Sequence, residues 1–475
     1  MSTRKNTLYN MAYRVFSILL PLVTAPYLAR VAGQEGVGLY SYAWSISEIF
    51  VIIGMLGLSD YGVRAVAQAK DDGDRLNRTV SEIFRMQLAV AGATLIVWLG
   101  YVFFAAGQEK PIALHLTLMS VSCLVNLDWC LMGLDQFKPI ALRNTLVKLA
   151  AAGAVFLLVK SADDLWLYGL VWSAATVIGC LLCWPGVKRR VTFVPVTWRA
   201  AMRHLSPCAV LLISVLAVRV YRTMDKVMVG ALAGMAQNGL YENAEKIIYC
   251  LSGFISAIGT VLMPKAAHLL SQGQTEKIRR HMAVSMDVIL CMTGAMAFGL
   301  AAVADRFAPL FYGEDFAHSG TLMIPLGFTL MMIGFANVVR TQWILPHGRD
   351  MLVMRCVCTG AGVNVMINAL LIPRMGAMGA VIGTLAAEMT VPVIQFIFLR
   401  RELPYGAYLK TLATYVMAGV AMLLAVRLIS RITPEGWIGL MVQIAAGAAV
   451  YGAACLVLWK ITGNRRVLGL VKRGA

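Results

Sequence analysis

Apolar stretches of about 20 residues recur from one end of this chain to the other, and they constrain its fold more than any other feature. A helix that crosses a bilayer needs about 20 predominantly apolar residues. Of the 475 residues, 59% are hydrophobic and 14% are charged, whereas soluble proteins are about 45–50% apolar and about 25% charged. The composition therefore excludes a soluble enzyme with one membrane anchor, and it excludes a disordered or nucleic-acid-binding tail.

The boundaries of the apolar windows predict fourteen membrane spans. Only helices or closed barrels satisfy the backbone inside a bilayer, and these segments are too long for barrel strands. We therefore predict an all-α polytopic membrane protein without a folded soluble domain. The predicted spans are 8–32, 37–63, 82–107, 111–133, 141–160, 165–186, 207–232, 238–264, 283–304, 318–343, 352–373, 376–399, 409–430 and 436–460.

The distribution of cations supports this number of spans. With a cytoplasmic N-terminus, 30 of the 42 Lys and Arg residues fall in cytoplasmic segments, 7 in outer segments and 5 within spans. Such a bias is the positive-inside rule, and it predicts that both termini are cytoplasmic. The cytoplasmic cations, which account for most of the net charge of +18, are therefore expected to face anionic membrane lipids. We predict no nucleic-acid partner.

An internal repeat relates the two halves of the chain at an offset of 201 residues. Ala32-Gly33 and Gly38-Leu39-Tyr40 recur as Ala233-Gly234 and Gly239-Leu240-Tyr241. Chance matches between apolar sequences remain an alternative explanation. Because each half has six spans, the copies share one orientation, as in parallel transporter repeats. We predict an N-terminal six-helix lobe at 1–186, a cytoplasmic linker at 187–206, a C-terminal six-helix lobe at 207–400 and two additional helices with a basic tail at 401–475.

Charged residues inside spans are the candidate functional residues, because they are costly in a bilayer and usually face an interior or a cavity. Arg219, Arg222 and Lys226 are spaced to share one face of span 7, and Arg14 lies in the repeat-equivalent span 1. The planar guanidinium of arginine suits a phosphate. Either the arginines bind an anion or acidic residues pair with them; Arg14 also has the alternative of snorkelling to the interface.

The remaining charges inside spans are candidates for gating or coupling. Spans 7 and 8 form a predicted hairpin, in which Asp225 and Lys226 have a depth similar to that of Glu242, Glu245 and Lys246. Two further acids lie near the middle of spans 2 and 12, where they either couple transport to protons or cations or pair with the cations. These two residues are Glu48 and Glu388.

The sequence contains no pattern for a cofactor, a metal or nucleotide hydrolysis. The six histidines have no zinc-protease spacing, no GxxxxGK[ST] loop occurs, and the pair Cys180 and Cys183 lies in an apolar span without a second pair. We therefore predict no cofactor and no enzymatic activity.

Several motifs in order resemble bacterial polysaccharide flippases (O-antigen and capsule, Wzx-type) of the multidrug/oligosaccharidyl-lipid/polysaccharide exporter superfamily. The resemblance covers roughly residues 5–400, and the succession of short motifs is its specific part. These motifs are Asn10-Met11-Ala12-Tyr13-Arg14, Pro26-Tyr27-Leu28-Ala29-Arg30, Arg222-Thr223-Met224-Asp225-Lys226 and Tyr241-Glu242-Asn243-Ala244-Glu245-Lys246-Ile247.

The resemblance implies two six-helix bundles related by a pseudo-two-fold axis around a cationic cavity. It implies that alternating access moves an undecaprenyl-pyrophosphate-linked oligosaccharide to the outer leaflet, with Arg14, Arg219 and Arg222 at the pyrophosphate. It further implies a bacterial cytoplasmic membrane, with a polysaccharide polymerase and glycosyltransferases as partners. The alternatives are a drug/cation antiporter of the same superfamily, a lipid II flippase and a membrane-embedded enzyme of the same pathway.

Overall fold

The computed structural model describes the backbone of residues 3–461. The side chains of residues 3–19, 213–215, 217–222 and 260–261 lie outside this description. The described residues form helices, turns and bends without a β-strand. They separate into two compact units, Met1–Gly239 and Leu240–Ala475.

The first unit contains ten helices in the described part of the chain, and a short 3₁₀ turn at Ala162–Asp164 precedes α7. The helices are α1 (Thr3–Met55), α2 (Leu58–Ala69), α3 (Gly73–Phe104), α4 (Lys110–Val125), α5 (Asp128–Gly133), α6 (Phe137–Leu158), α7 (Leu165–Leu181), α8 (Trp184–Lys188), α9 (Trp198–Met202) and α10 (Leu205–Ala233).

Seven longer helices follow in the described chain, and α11 begins just before the boundary between the units. A π-helical turn at Arg340–Ile344 continues α13. The helices are α11 (Met235–Ser271), α12 (Thr275–Tyr312), α13 (Ala317–Val339), α14 (Asp350–Met375), α15 (Ala377–Leu399), α16 (Tyr405–Ile429) and α17 (Trp437–Ile461).

Most residues of each predicted span are helical, and breaks at 56–57, 126–127 and 182–183 interrupt the second, fourth and sixth spans. Among the described residues, twelve helical segments are long and apolar enough to cross a membrane. One of them, Leu20–Ala69, is 50 residues long and contains most of the first two predicted spans. The predicted all-α polytopic architecture is therefore confirmed, whereas the domain division at 186 and 206 stays a prediction.

Two glycines at equivalent repeat positions interrupt the helices in the same way. Gly33, within α1, has φ 66° and ψ −175°, and Gly234, between α10 and α11, has φ 92° and ψ 166°. This region of backbone space is essentially restricted to glycine. The 201-residue offset found in the sequence therefore reappears as a shared local geometry.

The second pair of repeat glycines lets two backbones touch within the first unit. A Cβ atom on Gly38 would lie 1.7 Å from the carbonyl oxygen of Met235, and one on Gly239 would lie 2.0 Å from that of Gln34. The Asn238 Nδ2 atom also donates a hydrogen bond of 2.8 Å to the Gly38 carbonyl oxygen. Small residues permit such close approach of membrane helices. The crossing is reciprocal, since each glycine faces the residue four positions before the other.

The second unit has a core in which the two C-terminal helices pack against α12. Tyr415 of α16 and Tyr451 of α17 are buried in it. The Tyr451 hydroxyl donates a hydrogen bond of 2.8 Å to the Cys291 carbonyl oxygen of α12, and Phe298 of α12 fills the space beside Gly419 of α16. These two helices are therefore part of the second unit's core.

We expect Gly38→Ala to lower the free energy of unfolding by about 1–3 kcal/mol, the usual cost of inserting extra volume into a packed site. The added methyl group would overlap the Met235 carbonyl oxygen, so α1 and the start of α11 must separate. Thermal unfolding of the purified protein in detergent measures the change.

Gly92→Ala is the matched control, because a Cβ atom on Gly92 of α3 meets no atom within 4 Å. This variant should unfold at the wild-type temperature or slightly above it, since alanine favours helices more than glycine does. Equal unfolding temperatures for Gly38→Ala and Gly92→Ala would contradict the proposed backbone contact.

Candidate functional site

The three predicted substrate-binding arginines lie on α1 and α10. The side chains of Arg14, Arg219 and Arg222 are outside the described residues, so their role stays a prediction. The structure does show that α10 is a continuous helix from Leu205 to Ala233.

The described C-terminal half of α10 carries two further predicted residues. Asp225 is 3% exposed, and Lys226 is half-buried. Each takes part in at least one interaction, so neither is a free charge. A buried carboxylate in an apolar environment requires such compensation, because desolvation disfavours its charged form.

In the second unit, the structure brings two of the predicted charges together on α11. The Lys246 Nζ atom lies 3.0 Å from the Glu242 Oε1 atom, one helical turn away. Glu245 of α11 and Glu388 of α15 are half-buried and engaged in interactions, as is Glu48 of α1 in the first unit. The predicted acids thus interact with neighbouring groups, while their role in gating or coupling stays a prediction.

A row of buried polar side chains, which the sequence did not single out, lines helix contacts in the second unit. The Tyr241 and Thr384 hydroxyls are 3.0 Å apart, and Asn368 donates a hydrogen bond of 3.2 Å to Asn364. Neither amide atom of the buried Asn243 has a hydrogen-bond partner among the described residues. Polar groups at membrane depth mark substrate and ion pathways, which makes this row part of the candidate site.

The most completely buried acid of the first unit is Glu82 of α3, which was placed only at the edge of a predicted span. Its side chain is fully buried and forms ion pairs with Arg78 at 3.0 Å and with Arg203. The His204 Nε2 atom lies 3.1 Å from its carboxylate, while the Tyr61 hydroxyl lies 2.6 Å from the His204 Nδ1 atom. The i,i+4 spacing of Arg78 and Glu82 was the available sequence signal.

A buried acid of the second unit was also missed. Asp287 of α12 is 3% exposed, and the Tyr415 hydroxyl donates a hydrogen bond of 3.4 Å to its carboxylate. The Trp459 indole in turn donates a hydrogen bond of 3.1 Å to that hydroxyl. This chain of hydrogen bonds joins α12, α16 and α17 inside the core.

Among the described residues, no group of His, Cys, Asp and Glu is arranged to hold a metal ion. Cys183 instead lies beside the Arg143–Asp128 ion pair, whose Nη1 and Oδ1 atoms are 2.9 Å apart. Cys180 and Cys183 are free, buried thiols. Cys183 is therefore part of the packing around an ion pair of the first unit.

Comparison with known proteins connects this arrangement to a family. Residues 3–269 match the family described as "Polysaccharide biosynthesis protein". The chain is 20% identical over 406 residues to a protein of Escherichia coli strain K12 named "Putative O-antigen transporter", and the match covers 85% of this chain and 98% of that protein. It is 19% identical over 237 residues to "Probable low-salt glycan biosynthesis flippase Agl15" of Haloferax volcanii, which is 50% of each chain.

The fold is similar to that of a solved membrane transporter. The structure of lipid II flippase MurJ in an inward closed conformation matches with a TM-score of 0.78 at 13% identity, covering 97% of this chain and 100% of that chain. At this identity the likeness concerns the fold alone, and it agrees with the predicted architecture. Because the family match extends over more than half of the 475 residues, this protein belongs to the polysaccharide biosynthesis protein family.

Proposed function

We propose that this protein is a flippase that moves an undecaprenyl-pyrophosphate-linked oligosaccharide from the cytoplasmic to the outer leaflet by alternating access. The observation that carries the proposal is the similarity to the Escherichia coli relative, whose name refers to O-antigen transport and whose length is covered to 98%. The relative from Haloferax volcanii, named as a glycan biosynthesis flippase, supports the same class of substrate.

Arginine side chains on α1 and α10 hold the pyrophosphate in this proposal. Arg14, Arg219 and Arg222 supply charge that persists at every physiological pH, and each guanidinium can bind two phosphate oxygens at once. The lipid chain stays in the bilayer while the sugar passes through the polar interior. No covalent bond changes, so the protein acts as a transporter and not as an enzyme.

The buried ion pairs act as gates in the same proposal. Asp225 and Lys226 of α10 and Glu242, Glu245 and Lys246 of α11 are the gate candidates, and Glu48 and Glu388 are the candidates for ion coupling. The Glu242–Lys246 pair of α11, at 3.0 Å, is the arrangement seen in this conformation. A pair exposed by 15–21% can be broken at moderate cost, because part of its hydration is retained.

A drug/cation antiporter is the alternative function, and the acids of the first unit disfavour it. Such a transporter needs an acid that can bind a cationic solute. Glu82 and Asp128 are both held in ion pairs, while Glu48 and Asp225 have interactions of their own. The likeness to a lipid II flippase does not select that substrate, since it concerns the fold alone.

The topology and partners form part of the proposal. In this proposal the protein lies in a bacterial cytoplasmic membrane, and the positive-inside bias supports a cytoplasmic position for both termini. A flipped repeat unit has to be assembled on one side and polymerised on the other. Glycosyltransferases and a polysaccharide polymerase are therefore the enzymes that supply and consume the substrate.

Arg219→Ala and Arg222→Ala should each abolish surface polysaccharide in a strain that depends on this gene. Removing one partner of a hydrogen-bonded charge pair costs about 2–5 kcal/mol, which would weaken substrate binding by about thirtyfold to several thousandfold. Surface polysaccharide is measured by gel staining, and membrane abundance is measured by immunoblot.

Arg355→Ala on α14 is the matched control for these variants, because Arg355 is an exposed helical arginine. It should retain wild-type polysaccharide. Normal glycan in both the Arg219 and the Arg222 variants would refute the assigned role of these arginines.

Lysine replacements separate the bidentate contact from simple charge. Arg219→Lys and Arg222→Lys should restore transport in part, with about tenfold weaker substrate binding, since losing one hydrogen bond to a charged group costs about 1.5 kcal/mol. Transport rates in vesicles containing the lipid-linked substrate provide the measurement. Complete rescue by lysine would show that a point charge is sufficient.

The topology can be tested by cysteine labelling of the connection at residues 188–203. A cysteine introduced at Arg189, in a variant lacking the exposed Cys358, should not react with a membrane-impermeant thiol reagent applied from outside the cytoplasmic membrane. A cysteine at the exposed Glu435, in the predicted outer connection, should react. Strong outside labelling at Arg189 would overturn the predicted topology.

A further inference from the structure

A second basic site lies in the second unit, whereas the proposed substrate-binding arginines belong to the first unit. An open cavity of about 870 Å³ is bordered by the first turn of α12 and the first turns of α16. Four cations line it: Lys277, Arg279, Arg280 and Arg401. The positive ends of the two helix dipoles add to this charge.

The two acids that line the cavity are already paired. Glu276 forms an ion pair of 2.7 Å with Arg279, and Glu402 forms one of 2.7 Å with Arg349. The Glu402 carboxylate also accepts a hydrogen bond of 2.9 Å from the Trp343 indole. Burial alone would raise the pKa of Glu402, but the hydrogen bonds from Arg349 and Trp343 outweigh it and lower the pKa. The Glu402 carboxylate therefore stays ionised and bound to Arg349 and Trp343.

Three cations that line the cavity take no part in these ion pairs. Among the described residues, Lys277, Arg280 and Arg401 have no ion pair within 4.0 Å. The Arg279 Nε atom is buried and has no hydrogen-bond partner among the described residues. The cavity thus presents donors and positive charge without an anion to match them.

The internal repeat shows what occupies the equivalent position in the first unit. The 201-residue offset aligns Arg78 with Arg279 and Glu82 with Ala283. In the first unit, Arg78, Arg203 and His204 line a cavity of about 560 Å³, and all three contact the carboxylate of Glu82. In the second unit, Ala283 lines the cavity instead. The first copy thus has a carboxylate at this position, whereas the second copy has an alanine there and its two cavity carboxylates are paired with Arg279 and Arg349.

Exposed apolar residues on the helices next to the basic cavity indicate that these helices face lipid, which favours a lipid headgroup over a free anion. Phe398, three residues before the cavity-lining Arg401 in the sequence, is 52% exposed, and Leu409 on α16 is 53% exposed. The exposed face of α16 continues from Leu409 through Met417, Val420 and Leu424, positions that recur on one side of a helix. This face is turned away from the cavity-lining Ala407, Tyr408 and Thr411, so it shows that α16 has a lipid-facing side without placing acyl chains at the cavity itself.

We propose that this cavity binds the phosphate of an anionic phospholipid through Lys277, Arg280 and Arg401. The proposal uses the cytoplasmic placement argued above, because the cytoplasmic leaflet is rich in anionic lipid. It does not use the transport role of Arg14, Arg219 and Arg222. The bound headgroup takes the place that Glu82 has in the first repeat and neutralises the contact between α12 and α16.

Lipid titration of the full-length protein, followed by native mass spectrometry, tests the proposal. Phosphatidylglycerol should bind more tightly than phosphatidylcholine. Arg280→Ala and Arg401→Ala should each weaken phosphatidylglycerol binding about fivefold, the effect of one cation near an anionic headgroup. Lys410→Ala is the matched control, because Lys410 is an exposed cation of α16 that does not line the cavity, and its affinity should equal that of the wild type.

Ala283→Glu is a second, independent variant. It introduces the carboxylate that the first repeat has at this position, so it should weaken phosphatidylglycerol binding while leaving phosphatidylcholine unchanged. Unaltered phosphatidylglycerol affinity in Arg280→Ala, Arg401→Ala and Ala283→Glu would overturn the site. Displacement of the lipid by millimolar inorganic phosphate would assign the cavity to a free anion and overturn the lipid.

The outcome is distinguishable from failure of the proposed transport function. Loss of selective lipid binding in these variants is read by mass, without a transport assay. Arg219→Ala and Arg222→Ala should bind phosphatidylglycerol as the wild type does, even though they are expected to lose surface polysaccharide. Reduced lipid binding in those two variants would show that the cavity is not a separate site.

Discussion

The reciprocal contact of Gly38 and Gly239 with the opposing backbone is the interaction on which the first unit depends. Any side chain at either position would overlap a carbonyl oxygen, at 1.7 Å or 2.0 Å from the added Cβ atom. The crossing holds the end of α10 and the start of α11 against α1. These helices carry the predicted substrate-binding arginines, so the geometry of the candidate site depends on two residues that have no side chain.

Charged side chains in this protein occur in two kinds of surroundings. Several described acids inside the helices, such as Glu82 and Asp128, are held by cations of the same unit, which offsets the cost of burying them. The basic cavity at α12 and α16 follows the other pattern, since its two acids are committed to Arg279 and Arg349. A bound anion is the natural complement of the cations that remain.

Most of the fold could be predicted from local sequence, whereas the buried polar contacts could not. The length of an apolar stretch favours a membrane helix from local sequence alone, so most residues of every predicted span are helical. Gly33 and Gly234 were found as a repeat, and they share a backbone geometry. Glu82 and Asp287 lie near the starts of their predicted spans, and their partners Arg203 and Tyr415 are more than 100 residues away, so local spacing did not reveal these contacts.

The sequence by itself determined that the chain is helical and crosses a membrane many times, because a bilayer leaves no other way to satisfy the backbone. It also determined the repeat, since a 201-residue offset is visible in glycines and tyrosines alone. Only the tertiary structure decided which charges are neutralised, because ion pairing depends on distances between helices that are remote in the chain. Glu82 and Ala283 occupy equivalent repeat positions, but the difference in their surroundings appears only when Arg203 and Arg401 are placed in space.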